Sequence, residues 1–101
     1  MEGRNPRFVT WKDYGISKNR YRELKDICIS GKEEEKVLRA AKKANKSISE
    51  YIVLSVKKDK SYEKIEYDSR LGRIPCGRTD FYGYRRLFYY LLDQELKVPF
   101  D

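Results

Sequence analysis

Three observations predict an all-α fold of about five helices, the last two forming a helix-turn-helix. Apolar residues recur every three or four positions, serines and glycines stand where helices start and stop, and strand-like alternation is absent apart from a doubtful stretch at Arg7 to Thr10. A chain of 101 residues makes one domain, large enough to bury roughly 60–65% of the surface its unfolded form exposes. Residues 1–16 read as a leader with an apolar cluster, 17–57 as supporting helices, and 61–96 as the helix-turn-helix.

Residues 1–7 look like a loose basic leader, and Phe8, Val9, Trp11 and Tyr14 form a cluster expected to tuck against the first helix. Ser17 is a good N-cap, because its hydroxyl can accept a first-turn N–H that has no helical partner. Ile16 and Tyr21 flank it with staple spacing. The first helix then runs from about Lys18 to Ile29, with Tyr21, Leu24 and Cys28 inward, and Gly31 closes it.

The second helix spans roughly Lys32 to Ala44. Glu33, Glu34 and Glu35 open it and Lys42 and Lys43 end it, as the helix dipole favours. Its inward side is Val37, Ala41 and Ala44. Ser47 and Glu50 fit a capping box for a third helix that ends near Lys57, with Ile48, Tyr51, Ile52 and Val56 inward. Ser61 caps a fourth helix whose core residues are Tyr62 and Ile65. Gly72, Pro75 and Gly77 then break the chain, since Pro75 lacks an N–H and holds Ile74 extended. Val98 to Asp101 reads as a short tail.

The final helix looks two-sided. At 100° per residue Phe81, Tyr84, Phe88 and Leu91 share one side, with Leu92 at its edge. Arg78, Tyr82, Arg85, Arg86 and Tyr89 fall on the other. Ile65, Leu71 and Ile74 can seal the seam beneath it. Gly83 is unusual inside a helix, costing roughly 1 kcal/mol against Ala; close approach of a partner or helix packing would each exclude a side chain there.

The formal charge is +7, with charged residues at 39%, which favours acidic partners and phosphate backbones. Residues 61–101 carry seven Lys+Arg and seven Asp+Glu, yet five of those cations lie between Arg70 and Arg86, where Asp80 is the only acid. The chain has no histidine, only Cys28 and Cys76, and no CxxC spacing, which removes the usual zinc patterns and histidine-based catalysis. Without paired carboxylates at useful spacing or a glycine-rich phosphate loop, neither an enzyme nor a cofactor is expected. The two thiols should be reduced. No apolar run reaches membrane length and no signal-peptide core is visible, so the expectation is a cytoplasmic protein with no membrane role.

Double-stranded DNA is the expected partner. Arg78, Thr79 and Tyr82, nearest the start of the final helix, would reach base edges, where Arg can pair bidentately with guanine. Arg85, Arg86 and Tyr89 would meet phosphates, as would Arg70 and Arg73 in the turn. A second stripe on the second helix, Lys32, Lys36, Arg39, Lys43 and Lys46, is either a solvated face or a further phosphate-contact surface. A protein interface also remains open, because Arg and Tyr are enriched there too.

Two segments carry a resemblance. Ser61-Tyr62-Glu63-Lys64-Ile65, with Leu71-Gly72, Ile74, Arg78-Thr79, Tyr82 and Arg85-Arg86, resembles the helix-turn-helix of sigma-factor region 4. Tyr14-Gly15-Ile16-Ser17, Ile74 to Tyr82 and Arg85 to Leu92 look like small proteins encoded in phages and prophages of Gram-positive bacteria. Some of these are similar to phage transcriptional activators of the RinA/ArpU type. The resemblance covers about half the chain, its two ends. It implies a sequence-specific transcriptional regulator of phage genes in a bacterial cytoplasm, reading DNA with the helix from Gly77 onward, with RNA polymerase as a further partner. A homodimer would suit a palindromic site, although no heptad demands one. The alternative is a phage anti-defence protein, anti-CRISPR-like, that blocks a host defence nuclease or its guide RNA through the same basic helical surface.

Overall fold

The computed structural model of the chain describes residues 5–68 and 70–97, Asp68 through its backbone alone. These residues form five α-helices: α1 (Lys18–Ser30), α2 (Glu34–Ala44), α3 (Ser49–Lys58), α4 (Tyr62–Asp68) and α5 (Arg78–Lys97). Single 3₁₀ turns stand at Pro6–Phe8 and Lys46–Ile48. The all-α class holds, and no strand is present among the described residues; the doubtful Arg7 to Thr10 stretch begins instead in the first 3₁₀ turn. The first four residues of the leader and the tail from Val98 lie outside the described residues.

Local chemistry sets three of the helix ends. The Arg20 N–H donates to the Ser17 hydroxyl at 3.1 Å, which starts α1, and Gly31 at φ 75° stops it in the left-handed conformation that glycine adopts without penalty. Ser61 accepts from the Lys64 N–H at 3.2 Å and starts α4. The capping box at Ser47 does not form. Asn45 takes that role earlier, its side-chain oxygen accepting from the Ser47 N–H at 3.0 Å, so residues 46–48 wind as a 3₁₀ turn and α3 begins only at Ser49.

The core gathers Leu24 and Cys28 of α1, Val37, Ala40 and Ala41 of α2, Ile52 and Val56 of α3, and Ile65 of α4 around Phe81, Phe88 and Leu92 of α5. Burial pushes the Cys28 thiol up to about 12, and both cysteines are unbridged. No helix among the described residues is long and apolar enough to cross a membrane.

The hub is α5, which touches all four other helices and the Pro6–Phe8 turn, most extensively α2. Its burial corrects the two-sided expectation. Tyr89 and Asp93 are buried about a quarter-turn or more from Phe81, and Gly83 is buried on the far side of the helix. Tyr84 and Leu91, expected on the inward side with Phe81 and Phe88, are only partly buried. A helix enclosed on nearly all sides is a central helix, not a surface one.

The N-terminal segment supplies the missing cover. Val9, Tyr14 and Ile16 are buried. The Trp11 ring lies 4.8 Å from Tyr21 of α1 and 5.9 Å from Tyr89 of α5, and Tyr14 stacks on Tyr90 of α5 at 5.0 Å. Its described part is therefore a docked strap rather than a loose leader, and it packs on α5 as well as α1. Phe8, expected in the cluster, is 64% exposed. Leu71, expected in the seam, is also largely outside at 41%.

Candidate nucleic-acid interface

The connection between α4 and α5 is held at several points. The Glu66 carboxylate accepts from the Ile74 N–H at 3.1 Å. The Tyr62 hydroxyl donates to the Cys76 carbonyl at 2.8 Å. The Tyr51 hydroxyl of α3 lies 2.8 Å from the Leu71 carbonyl and 3.0 Å from that of Arg73. Ile74 is buried against this frame, so Pro75 turns the chain into α5 over an apolar anchor. Burial, and then the neighbouring Glu66 carboxylate, raises the Tyr62 phenol above its ordinary range.

The set expected to face a polyanion divides into two groups. Arg70, Arg73, Arg78 and Thr79 are exposed around the turn and the first turn of α5. Arg78 makes an ion pair with Glu63 at 2.7 Å, with both side chains largely in solvent. The other four residues face inward or are bonded internally. Tyr89 is 2% exposed, edge-on to Tyr21 at 5.3 Å, and burial drives its phenol far above the ordinary value. The Tyr82 hydroxyl accepts from the Tyr62 N–H at 3.0 Å, closing the start of α4. Its ring meets the Arg85 guanidinium at 4.7 Å and that of Arg78 at 5.4 Å.

Arg85 donates to the Ser55 hydroxyl at 3.1 Å, which passes the bond to the Lys60 carbonyl at 2.7 Å. Arg86 donates to the Val9 carbonyl at 3.0 Å and the Arg7 carbonyl at 3.3 Å. These arginines satisfy backbone and hydroxyl oxygens of elements packed on α5. A phosphate role for Arg85, Arg86 and Tyr89, and base contact by Tyr82, do not fit this packing.

Gly83 shows how close that packing is. A Cβ there would stand 2.7 Å from the Arg7 Cα and N and 2.9 Å from the Pro6 carbonyl carbon. The close approach is thus internal, by the strap. Two sequence signals point to it: aromatic residues distributed all round α5, and a glycine among them.

The stripe on α2 is also partly engaged. Arg39 and Lys43 grip Glu95 of α5 at 3.0 and 2.9 Å, and Lys36 pairs with Glu33 at 3.7 Å. Lys32 precedes the observed start of α2, while Lys32 and Lys46 are exposed. Hydrogen bonds from Lys43 and, against the opposing effect of burial, from Arg39 hold the Glu95 carboxyl below its usual range. Toward the C-terminal end of α5, Arg20 of α1 donates to Asp93 at 2.7 Å, and Lys97 reaches the other oxygen at 3.1 Å.

Of the eight residues expected to meet DNA on the turn and the final helix, Arg70, Arg73, Arg78 and Thr79 remain exposed, and Lys64 of α4 is exposed as well. No protein-family model, curated protein or solved structure matches the chain.

Proposed function

We propose that the protein is a DNA-binding regulator of the helix-turn-helix kind whose contact edge is the α4–α5 turn and the first turn of α5. The observation that carries this reading is the separation of the arginines. Arg70, Arg73 and Arg78 stay exposed on the α4–α5 turn and at the start of α5, while Arg85 and Arg86 are bonded inside. A surface pair such as Arg78–Glu63 is worth about 0–1 kcal/mol, so a phosphate or a guanine edge can displace the carboxylate. The helix dipole at the start of α5 adds to the attraction for phosphate. Bonds from Tyr51, Tyr62 and Glu66 to the turn hold its arginines in register, which limits the entropy lost on binding.

This edge is smaller than an outer face running the length of α5. About three to five phosphate contacts give a log–log salt slope of roughly −3 to −4.5. The test is titration of a mixed-sequence duplex across a range of salt concentrations. The double substitution Arg70→Ala/Arg73→Ala should reduce the magnitude of the slope by about 2. Arg78→Ala should in addition relax sequence preference in a selection from random duplexes. A wild-type protein that leaves duplex unbound at low salt refutes the reading and favours the anti-defence alternative, which then requires a nuclease or guide-RNA target.

A further inference from the structure

A groove of about 720 Å³ runs along the outer side of α3, away from the strap. Leu38 of α2, Val53 and Leu54 of α3, and Leu71 of the turn give it an aliphatic floor. Leu38 and Leu71 are each 41% exposed, an unusual amount for leucines set together. The rim is basic: Lys42, Lys57, Lys58, Lys60 and Arg70 surround it, against the single acid Glu50. Lys57 pairs with Glu34 at 3.0 Å and Lys60 is also engaged, while Lys42, Lys58 and Arg70 stand exposed and keep the rim net positive.

The shape follows from the sequence of α3. Glu50, Val53, Leu54, Lys57 and Lys58 line the groove at spacings of three, one, three and one, one continuous face about 12 Å long at 1.5 Å per residue. That length matches a little over two turns of a second helix. We propose that this groove docks an acidic amphipathic helix of a partner protein, its leucine-type side chains on Leu38, Val53, Leu54 and Leu71 and its carboxylates against the lysines.

Charge and surface chemistry select this occupant. Single-stranded nucleic acid binds by stacking bases on aromatic rings, and the floor is aliphatic. A second copy meeting the groove across a two-fold axis would set the same lysines against each other. An amphipathic helix with acidic flanks meets both the floor and the rim, in the helix-in-groove mode. The inference goes beyond duplex binding and does not depend on it, because Leu38 and Lys42 lie on α2, outside the proposed DNA edge.

The test uses a fluorescein-labelled synthetic peptide of about four helical turns, leucines along one face and glutamates on its flanks. Controls are a scramble of the same composition and a version with lysine for glutamate. The ordered acidic peptide should bind at least about tenfold tighter than either control, and Leu38→Glu or Lys42→Glu should each weaken it by about tenfold. Methyl resonances of Leu38, Val53, Leu54 and Leu71 should shift on binding, and circular dichroism of both variants should match the wild type. Arg73→Ala should leave peptide binding intact while weakening duplex binding, so the two readings fail separately. A scramble that binds as well, methyl shifts elsewhere, or a groove that accepts only oleate or a second copy overturns the proposal.

Discussion

Gly83 and Arg86, three residues apart on one face of α5, act on the same short stretch of the strap. Gly83 gives the strap room to lie on α5 with Arg7 Cα within 2.7 Å of where a Cβ would be. Arg86 then fastens the strap through the Val9 and Arg7 carbonyls, and Arg7 reaches Asp80 at 3.4 Å. Gly83→Ala sets two effects against each other. Alanine favours the helix by about 1 kcal/mol, while the forced contact with backbone costs about 1–3 kcal/mol and cannot be relieved by a rotamer change. The expected outcome is a net loss of thermal stability. Trp11 is the only tryptophan and touches Tyr89 and Tyr21, so its emission should shift to the red as the strap lifts. A variant that melts higher with unchanged tryptophan emission would contradict the close approach.

Helix by helix, polar clamps fix how the neighbours sit on α5. Arg39 and Lys43 of α2 hold Glu95, and Arg20 of α1 holds the 6%-exposed Asp93 side chain. The Glu95 clamp carries a pH signature. Its folded-state carboxyl titrates below the usual 4.5, so its stabilisation is present above that unfolded value and disappears as pH falls through the folded one. Glu95→Gln should therefore melt about 4–8 °C lower than wild type at neutral pH, for a loss near 1 kcal/mol. The gap should close as pH falls from 4.5 through the lower folded-state value. A gap that stays constant down to acid pH would mean the clamp is not ionic.

Helix ends were legible where the signal is local: the Ser17 and Ser61 hydroxyls each accept a first-turn N–H, and Gly31 takes the left-handed conformation that stops α1. The Ser47 box failed because Asn45 competed two residues earlier. The facing of α5 was less legible. Its arginines read as outward because guanidinium is normally solvated, and nothing local announces that Ser55 and the strap carbonyls stand ready to accept from them. Cross-chain partners such as Arg39 and Glu95, 56 residues apart, leave no spacing to read. The exposed end fared better, since Arg70, Arg73 and Arg78 flank a glycine- and proline-punctuated turn that must lie outside.

Across the whole molecule, the strap packs the described N-terminal residues onto α5, so the strap belongs to the fold rather than to the proposed DNA edge. Deleting residues 1–10 separates the two possible roles. A loose basic leader that touches phosphate would, on removal of Arg4 and Arg7, reduce the magnitude of the salt slope by up to about 2 and leave stability unchanged. A docked strap behaves in the opposite way. Losing the buried Val9 alone costs about 1.5 kcal/mol or more, and the midpoint should fall by at least about 6 °C. Duplex binding at temperatures below the new midpoint should keep the wild-type slope to within about one contact. The electrostatic origin of this split is local: Arg7 is exposed but has Asp80 beside it at 3.4 Å, whereas Arg70 and Arg73 stand exposed in the turn. A truncated protein that melts like the wild type but binds duplex with a shallower slope would return the N-terminal arginines to the DNA and require a larger interface than the one at the turn.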